Sequence, residues 1–307
     1  MKILYFNITL RCNQRCWFCA ANLDRHSQIS TRTIMSILRK WKIGRGDRII
    51  INGGEPTLHD GLCGMLEEIK RRGARSNLFT NGIKLADPRY AAKLARCGLD
   101  YICIPLYGKT SGQHDAMTGR GGSFEKACAA IRNLCDLKDK GYELIVEVKL
   151  LQCKATYRIN PAVARWIAGH FPKVDYISLN PALYTGEAKA NIAEFAVDML
   201  KTKALLNKAA SAVAMGRVRC LVSHIPYCVL ERKNRSDCTR NGFLPDPLRQ
   251  PIVYFDPRMT TGIIVKKEAN IDPQCKKCAF KLRCPGFKPY NLGETASEVP
   301  ARVSARR

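Results

Sequence analysis

From residue 2 to about 184, short β-rich apolar runs alternate with stretches whose apolar residues recur at helical spacing. This is the pattern of repeated βα units on a parallel sheet. The runs predict six strands, at 2–10, 47–53, 75–80, 100–107, 142–151 and 174–180, with helices near 30–42, 60–73, 88–97, 124–140 and 159–170. In the second of these helices Leu62, Met65, Leu66 and Ile69 fall on one face. Six units fall short of a closed eight-stranded barrel. The expected fold is therefore α/β, a partial (β/α)6 TIM-like barrel followed by a small cysteine-rich α+β domain.

A helical pattern then runs from Glu194 to Met215, followed by a less regular region with a hairpin expected around 251–267, where Pro251–Asp256 and Met259–Lys267 flank a turn. The expected division is a barrel over 1–190, a helical connection over 191–216, the small domain over 217–290 and a loose basic tail over 291–307. A unit the size of 217–290 builds little core alone, and a bound cluster or metal would supply what it lacks.

Of the 307 residues 46% are hydrophobic and 25% charged, enough to fold around a sizeable core. The formal charge of +25 attracts phosphates, acidic peptides or nucleic acid without bearing on the fold. No run of about 18 uncharged apolar residues occurs, and Cys12 and Cys16 stand where a signal peptide would be apolar. Both observations argue against export and membrane spanning, and a cytoplasmic setting is expected. The fifteen cysteines are an odd number in a long chain, unlike a secreted disulfide framework. Scattered ones such as Cys103 and Cys128 are expected to be small buried hydrophobes.

Cys12, Cys16 and Cys19 have the spacing C-x3-C-x2-C directly after the first strand. Loops at the C-terminal ends of parallel strands are where such sheets place ligands. Three thiolates can bind three irons of a four-iron cubane and leave the fourth open to another ligand. A zinc site short of one ligand, or chance spacing, is the alternative.

With Phe18 just before the last cysteine, this motif resembles that of the radical S-adenosylmethionine (radical SAM) superfamily. The resemblance implies a 4Fe-4S cluster whose open iron chelates the amino and carboxylate groups of S-adenosylmethionine. One electron would then cleave the cofactor to methionine and a 5′-deoxyadenosyl radical that abstracts hydrogen from a substrate. Gly53-Gly54-Glu55-Pro56, at the end of the second strand, matches the family motif that holds the cofactor's amino group. Thr80-Asn81-Gly82 ends the third strand, Pro105-Leu106-Tyr107-Gly108 the fourth, and His114-Asp115, Thr118-Gly119 and Gly121-Gly122-Ser123-Phe124 lead into the next helix. Asn81 is placed with the cofactor contacts. Lys149, on the fifth strand, is expected to pair with the cofactor carboxylate, and Asn180, ending the sixth, to meet its adenine or ribose. A structural or capping role is expected for His114, ahead of proton transfer.

Cys275, Cys278 and Cys284 form a second group, C-x2-C-x5-C, which in isolation also reads as half a zinc ribbon. After a radical SAM domain it resembles the end of the twitch and SPASM domains, whose cysteines ligate an auxiliary 4Fe-4S cluster. Cys228 is then the expected fourth ligand and Cys238 the runner-up. Too few cysteines follow Cys284 for a complete SPASM domain, so one auxiliary cluster is expected. Lys276, Lys277, Lys281, Arg283 and Lys288 crowd this group, either stabilising an anionic cluster or forming a solvated basic face.

The leading expectation is an enzyme that modifies a ribosomally synthesised peptide, with the basic surface meeting an acidic leader and a flavodoxin or ferredoxin as electron donor. Because the first strand starts at residue 2, a separate leader-binding protein would recruit the peptide. Oxidation or rearrangement of a phosphorylated small molecule, sugar or RNA nucleoside is the second expectation. A non-catalytic iron-sulfur or zinc protein that binds nucleic acid is the third.

Overall fold

The structure is a computed structural model. It describes residues 1–235 apart from 22, 184, 215–217 and 223, together with 252–258 and 263–265. Six strands form where the apolar runs predict them: β1 (Ile3–Thr9), β2 (Arg48–Gly53), β3 (Arg75–Phe79), β4 (Tyr101–Pro105), β5 (Ile145–Gln152) and β6 (Tyr176–Pro181). Each pairs in parallel with the next, as helical crossovers allow.

The sheet is wider than the six strands expected. β7 (Arg219–Val222) runs parallel beside β6, β8 (Ile252–Phe255) runs parallel beside β1, and β9 (Ile263–Val265) returns antiparallel to β8. The order is β7-β6-β5-β4-β3-β2-β1-β8-β9, with eight parallel strands. β7, with four residues, carries too little alternation to mark it in the sequence. The expected hairpin around 251–267 is present as β8 and β9, and β8 joins it to the barrel sheet.

The helices are α1 (Thr31–Lys40), α2 (Leu62–Arg71), α3 (Pro88–Arg96), α4 (Ser111–Thr118), α5 (Ser123–Asp139), α6 (Asn160–His170), the single turns α7 (Glu187–Ala190) and α8 (Ile192–Phe195), α9 (Lys203–Ala214) and α10 (Arg232–Arg235). Side-chain caps fix several starts: Ser30 accepts from Thr33 N–H, Asp87 from Arg89 N–H with Pro88 in the first turn, and Thr110 from Gln113 N–H.

Alternation along the strands separates two environments. Leu4, Phe6, Ile8, Ile49, Ile51, Leu78, Ile102, Ile104, Val146, Val148, Ile177 and Leu179 join Leu38, Met65, Leu66, Leu94, Ile131 and Ile167 of the helices in one apolar layer. The other positions line the inner wall, where polar groups bond one another: Asn52 with Tyr5, Asn7 with Tyr254 and Asp256, Glu147 with Tyr101 and Ser178. Glu147 is only 2% exposed, and its hydroxyl donors provide the hydrogen bonds a buried carboxylate requires.

Cys103, Cys128, Cys135, Cys153 and Cys220 are buried thiols, as expected. Cys63 and Cys97 depart from that expectation, because α2 and the end of α3 bring them together as a disulfide. No helix among the described residues is long and apolar enough to cross a membrane.

Candidate functional site

The cysteine loop follows β1, and the Gly-Gly-Glu-Pro segment ends β2 beside it. Gly54 N–H donates to Thr9 O and Glu55 N–H to Arg11 O, both at 2.7 Å, so the second strand end is stitched to the residues just before Cys12. A Cβ on Gly54 would lie 2.3 Å from the Arg11 carbonyl oxygen, which explains the glycine.

Glu55 is fully buried and anchors this junction. Its Oε1 accepts Thr57 N–H at 3.0 Å, Thr57 Oγ1 at 2.5 Å and Thr80 Oγ1 at 2.6 Å, while Oε2 accepts Asn81 N–H at 2.7 Å. Burial raises its carboxyl pKa, and these hydrogen bonds oppose the rise. Asn81 Nδ2 donates onward to Asn13 Oδ1 at 2.7 Å, and Asn81 Oδ1 accepts Ile83 N–H at 3.0 Å. Arg120 donates to Asn13 O at 2.5 Å, and Arg15 N–H to Thr118 O at 2.9 Å, so the end of α4 supports the loop from another side.

Cys12, Cys16 and Cys19 are partly buried and not disulfide-bonded. Burial pushes the Cys12 thiol up to about 11, with the charges of Glu55 and Cys19 adding to it. Cys16 rises as well, through burial and then the neighbouring Cys19 and Cys12. Thiols raised in this way must lose protons when they ligate, the usual coupling of metal binding to pKa.

The three sulfurs are not all within 4.8 Å of one another. A tetrahedral ion with bonds of about 2.3 Å holds its sulfurs roughly 3.8 Å apart. The sulfurs as they stand are therefore not gathered around a single tetrahedral ion.

Phe18 meets Tyr107 edge-on at 4.8 Å and Trp17 at 5.8 Å. They pack on an apolar patch of Met117, Leu151, Cys153, Ala182, Ala188 and Phe195 beneath the loop. Lys149 and Asn180 lie farther round the wall, where Lys149 pairs in register with Ser178. The Lys149 ammonium sits 5.9 Å from the Phe79 ring centre, and Asn180 Nδ2 donates to Ser178 Oγ at 2.9 Å.

His114 is 1% exposed, and its Nδ1 accepts Tyr107 N–H at 3.2 Å. Burial lowers its pKa to about 4, so the ring is neutral at pH 7. The capping falls to Asp115, which accepts from Gly122 N–H at 2.7 Å, Ser123 Oγ at 2.7 Å and Phe124 N–H at 2.9 Å. Cys228 is exposed in the 3-10 turn Tyr227–Val229. Cys238, Cys275, Cys278 and Cys284 lie outside the described residues.

Sequence reasoning did not identify Asn13, Gln14, Thr185 or Asn191. Asn13 and Gln14 sit between motif cysteines, where spacing alone assigns no role, and the others act across long sequence separations.

Residues 6–146 match the family model described as Radical SAM superfamily. Fe-coproporphyrin III synthase of Methanosarcina barkeri is 28% identical over 145 residues, covering 46% of this chain and 35% of that protein. The tungsten-containing aldehyde ferredoxin oxidoreductase cofactor-modifying protein of Pyrococcus furiosus is 28% identical over 176 residues, covering 54% and 48%. The chain thus spans half or less of the length of these relatives. Streptococcus suis SuiB bound to S-adenosylmethionine has a similar fold, with a TM-score of 0.60 at 13% identity over 82% of this chain and 58% of SuiB. SuiB bound to its precursor peptide SuiA gives a TM-score of 0.58 at 12% identity over 82% and 57%. The cysteine loop and the glycine-rich strand end, set side by side on a parallel sheet, both fall within residues 6–146, the stretch that matches the radical SAM domain.

Proposed function

We propose that the chain is an enzyme that binds a 4Fe-4S cluster and S-adenosylmethionine on the Arg11–Ala21 loop and acts on a ribosomally synthesised peptide. The observation that carries this reading is the pair of 2.7 Å hydrogen bonds joining the Gly-Gly-Glu-Pro segment to Thr9 and Arg11, directly before the three free thiols of the C-x3-C-x2-C loop.

Cys12, Cys16 and Cys19 would hold three irons and leave the fourth for the cofactor. The bound pair supplies one-electron reductive cleavage of a carbon–sulfur bond and, from it, hydrogen abstraction. The Glu55 and Pro56 carbonyls already accept Leu58 and His59 N–H, at 3.0 Å each, so receiving the cofactor's ammonium falls to Gly53 and Gly54. Glu55 and Asn81 hold that strand end in place. Phe18 and the apolar patch behind it exclude water from the site. Lys149 is the candidate partner for the cofactor carboxylate, and Asn180, with its Oδ1, for adenine or ribose.

The peptide substrate is supported by the likeness of fold to SuiB, which binds a precursor peptide, and by the basic surface. An acidic leader, a separate leader-binding protein and a flavodoxin or ferredoxin complete the partners we propose. Cys275, Cys278, Cys284 and Cys228 or Cys238 would hold one auxiliary cluster of the twitch or SPASM kind, in a stretch whose β7, β8 and β9 belong to the barrel sheet itself. A second reading, a small phosphorylated or otherwise anionic substrate inside the barrel, draws on Lys149 and the polar inner wall.

Anaerobic reconstitution with reductant and S-adenosylmethionine tests the chemistry. The expected result is about eight irons per chain, with 5′-deoxyadenosine production abolished by Cys12→Ala. About four irons would remove the auxiliary cluster, and no cofactor cleavage would overturn the enzyme reading. Deuterium transfer from peptide candidates rather than phosphorylated small molecules separates the two substrates.

A further inference from the structure

Away from the cysteine loop, α2 and α3 bring three further donors together. Cys63 and Glu67 stand four positions apart on α2 and so share one flank of that helix, beside its buried face of Leu62, Met65, Leu66 and Ile69. Cys97 caps the C-terminus of α3, and Gly98, with φ 98°, turns the chain there. A Cβ on Gly98 would come within 2.6 Å of the Lys70 side chain, so the glycine lets the end of α3 lie close against α2. One ligand atom from each of Cys63, Glu67 and Cys97 then falls within 4.8 Å of the others.

The two sulfurs are joined as a disulfide, with their Cα atoms 5.5 Å apart. Glu67 is exposed, and no ion pair engages it among the described residues, whereas neighbouring Glu68 is taken by Arg71 and Arg72. The disulfide offers an ion little, because the thiolate is the form that ligates. Reduction changes the donor set. A dithiol breaks the sulfur–sulfur bond, gives two electrons and two protons to Cys63 and Cys97, and leaves as a disulfide itself. Zn²⁺ can then displace the two thiol protons and form two zinc–sulfur bonds, with the Glu67 carboxylate as third donor and water as fourth. A tetrahedral ion holds such donors roughly 3.5–4 Å apart, so the sulfurs need only separate and the carboxylate is already within reach.

We propose that Cys63, Cys97 and Glu67 form a redox-gated zinc site, closed to metal as the disulfide and opened when a dithiol reduces it. Either state clasps α2 to the end of α3, by a covalent bond or by a shared ion, around the span that carries β3, Thr80 and Asn81. The site shares no residue with the Arg11–Ala21 loop, so it stands whether or not that loop holds a cluster.

The full-length chain is reduced with a phosphine, freed of it anaerobically and pulsed with iodoacetamide at a series of buffered free zinc concentrations, and the labelled cysteines are mapped by mass spectrometry. Mapping separates this pair from the other thiols of the chain. The expected result is that zinc slows labelling of Cys63, the more exposed of the two, by about tenfold or more, and that a chelator restores it. Glu67→Ala, a change on an exposed side chain, should need roughly tenfold more free zinc for the same protection. Labelling of the reduced parent that zinc leaves unchanged overturns the site. Parental zinc dependence in Glu67→Ala overturns the three-donor set, and equal zinc content in the oxidised and reduced chains overturns the gate.

Discussion

Asn81 Nδ2 donates to Asn13 Oδ1 at 2.7 Å, tying the end of β3 to a loop residue 68 positions earlier. Asn81 also gives its backbone N–H to Glu55 Oε2, so one residue couples the cysteine loop to the glycine-rich strand end. With both ends of its amide engaged, it serves the site by holding Asn13 and Glu55 together.

A double-mutant cycle of Asn13→Ala and Asn81→Ala should therefore be non-additive, with a coupling of about 1 kcal/mol in urea unfolding. Simple additivity would show that the amide pair contributes nothing to the folded state.

Glu55→Gln exchanges an acceptor-only carboxylate for an amide whose NH2 faces donors from Thr57, Thr80 or Asn81. The expected cost is about 2–3 kcal/mol of stability, with weaker iron retention after reconstitution. A variant with parental unfolding and iron content would contradict the anchoring role.

The pH dependence of folding should carry a contribution from His114. Its pKa falls from 6.5 unfolded to about 4 folded, chiefly through burial, against the opposing charge of neighbouring Asp115. The unfolded chain then binds more protons across that interval, so stability is full above the unfolded value and is lost as pH falls towards the folded one. On this account the loss between neutral pH and pH 5 is on the order of 2 kcal/mol. His114→Gln can still accept Tyr107 N–H and should flatten this part of the profile. Urea unfolding at the two pH values measures it, and an unchanged slope would place the effect elsewhere.

The Cys63–Cys97 disulfide has a sequence separation of 34 residues and encloses β3 with Thr80 and Asn81. Loop-closure entropy assigns it about 3–4 kcal/mol. Under oxidising conditions Cys63→Ser/Cys97→Ser should melt below the parent, and adding reductant should bring the parent down to the variant. Peptide mapping without reductant that finds both thiols free would remove this contribution.

The elements legible in the sequence were those with a long local pattern. β1 to β6 are short apolar runs spaced by amphipathic helices, and the helices expected near 60–73 and 88–97 formed as α2 and α3 within a few residues. α4 escaped notice because Ser111–Thr118 carries Gly112 and a polar Gln-His-Asp run with little apolar periodicity. The 251–267 hairpin could be read, but its docking on β1 depends on tertiary packing that no local pattern encodes. The same division runs through the site. Cys12, Cys16, Cys19 and Gly53–Pro56 are recognisable from contiguous spacing. Thr185 and Asn191 act 165 and 174 positions from the Ala20 and Trp17 carbonyls they hold.

β1 pairs on one side with β2, which is made soon afterwards, and on the other with β8, whose Ile252 lies opposite Ile3. On the ribosome the outer side of β1 must therefore wait for nearly the whole described chain to emerge, a non-local closure of the kind that slows folding. Until then Leu4 and Phe6 border an unpaired edge. Nascent chains halted before residue 252 should be the aggregation-prone ones and the natural clients of chaperones during synthesis.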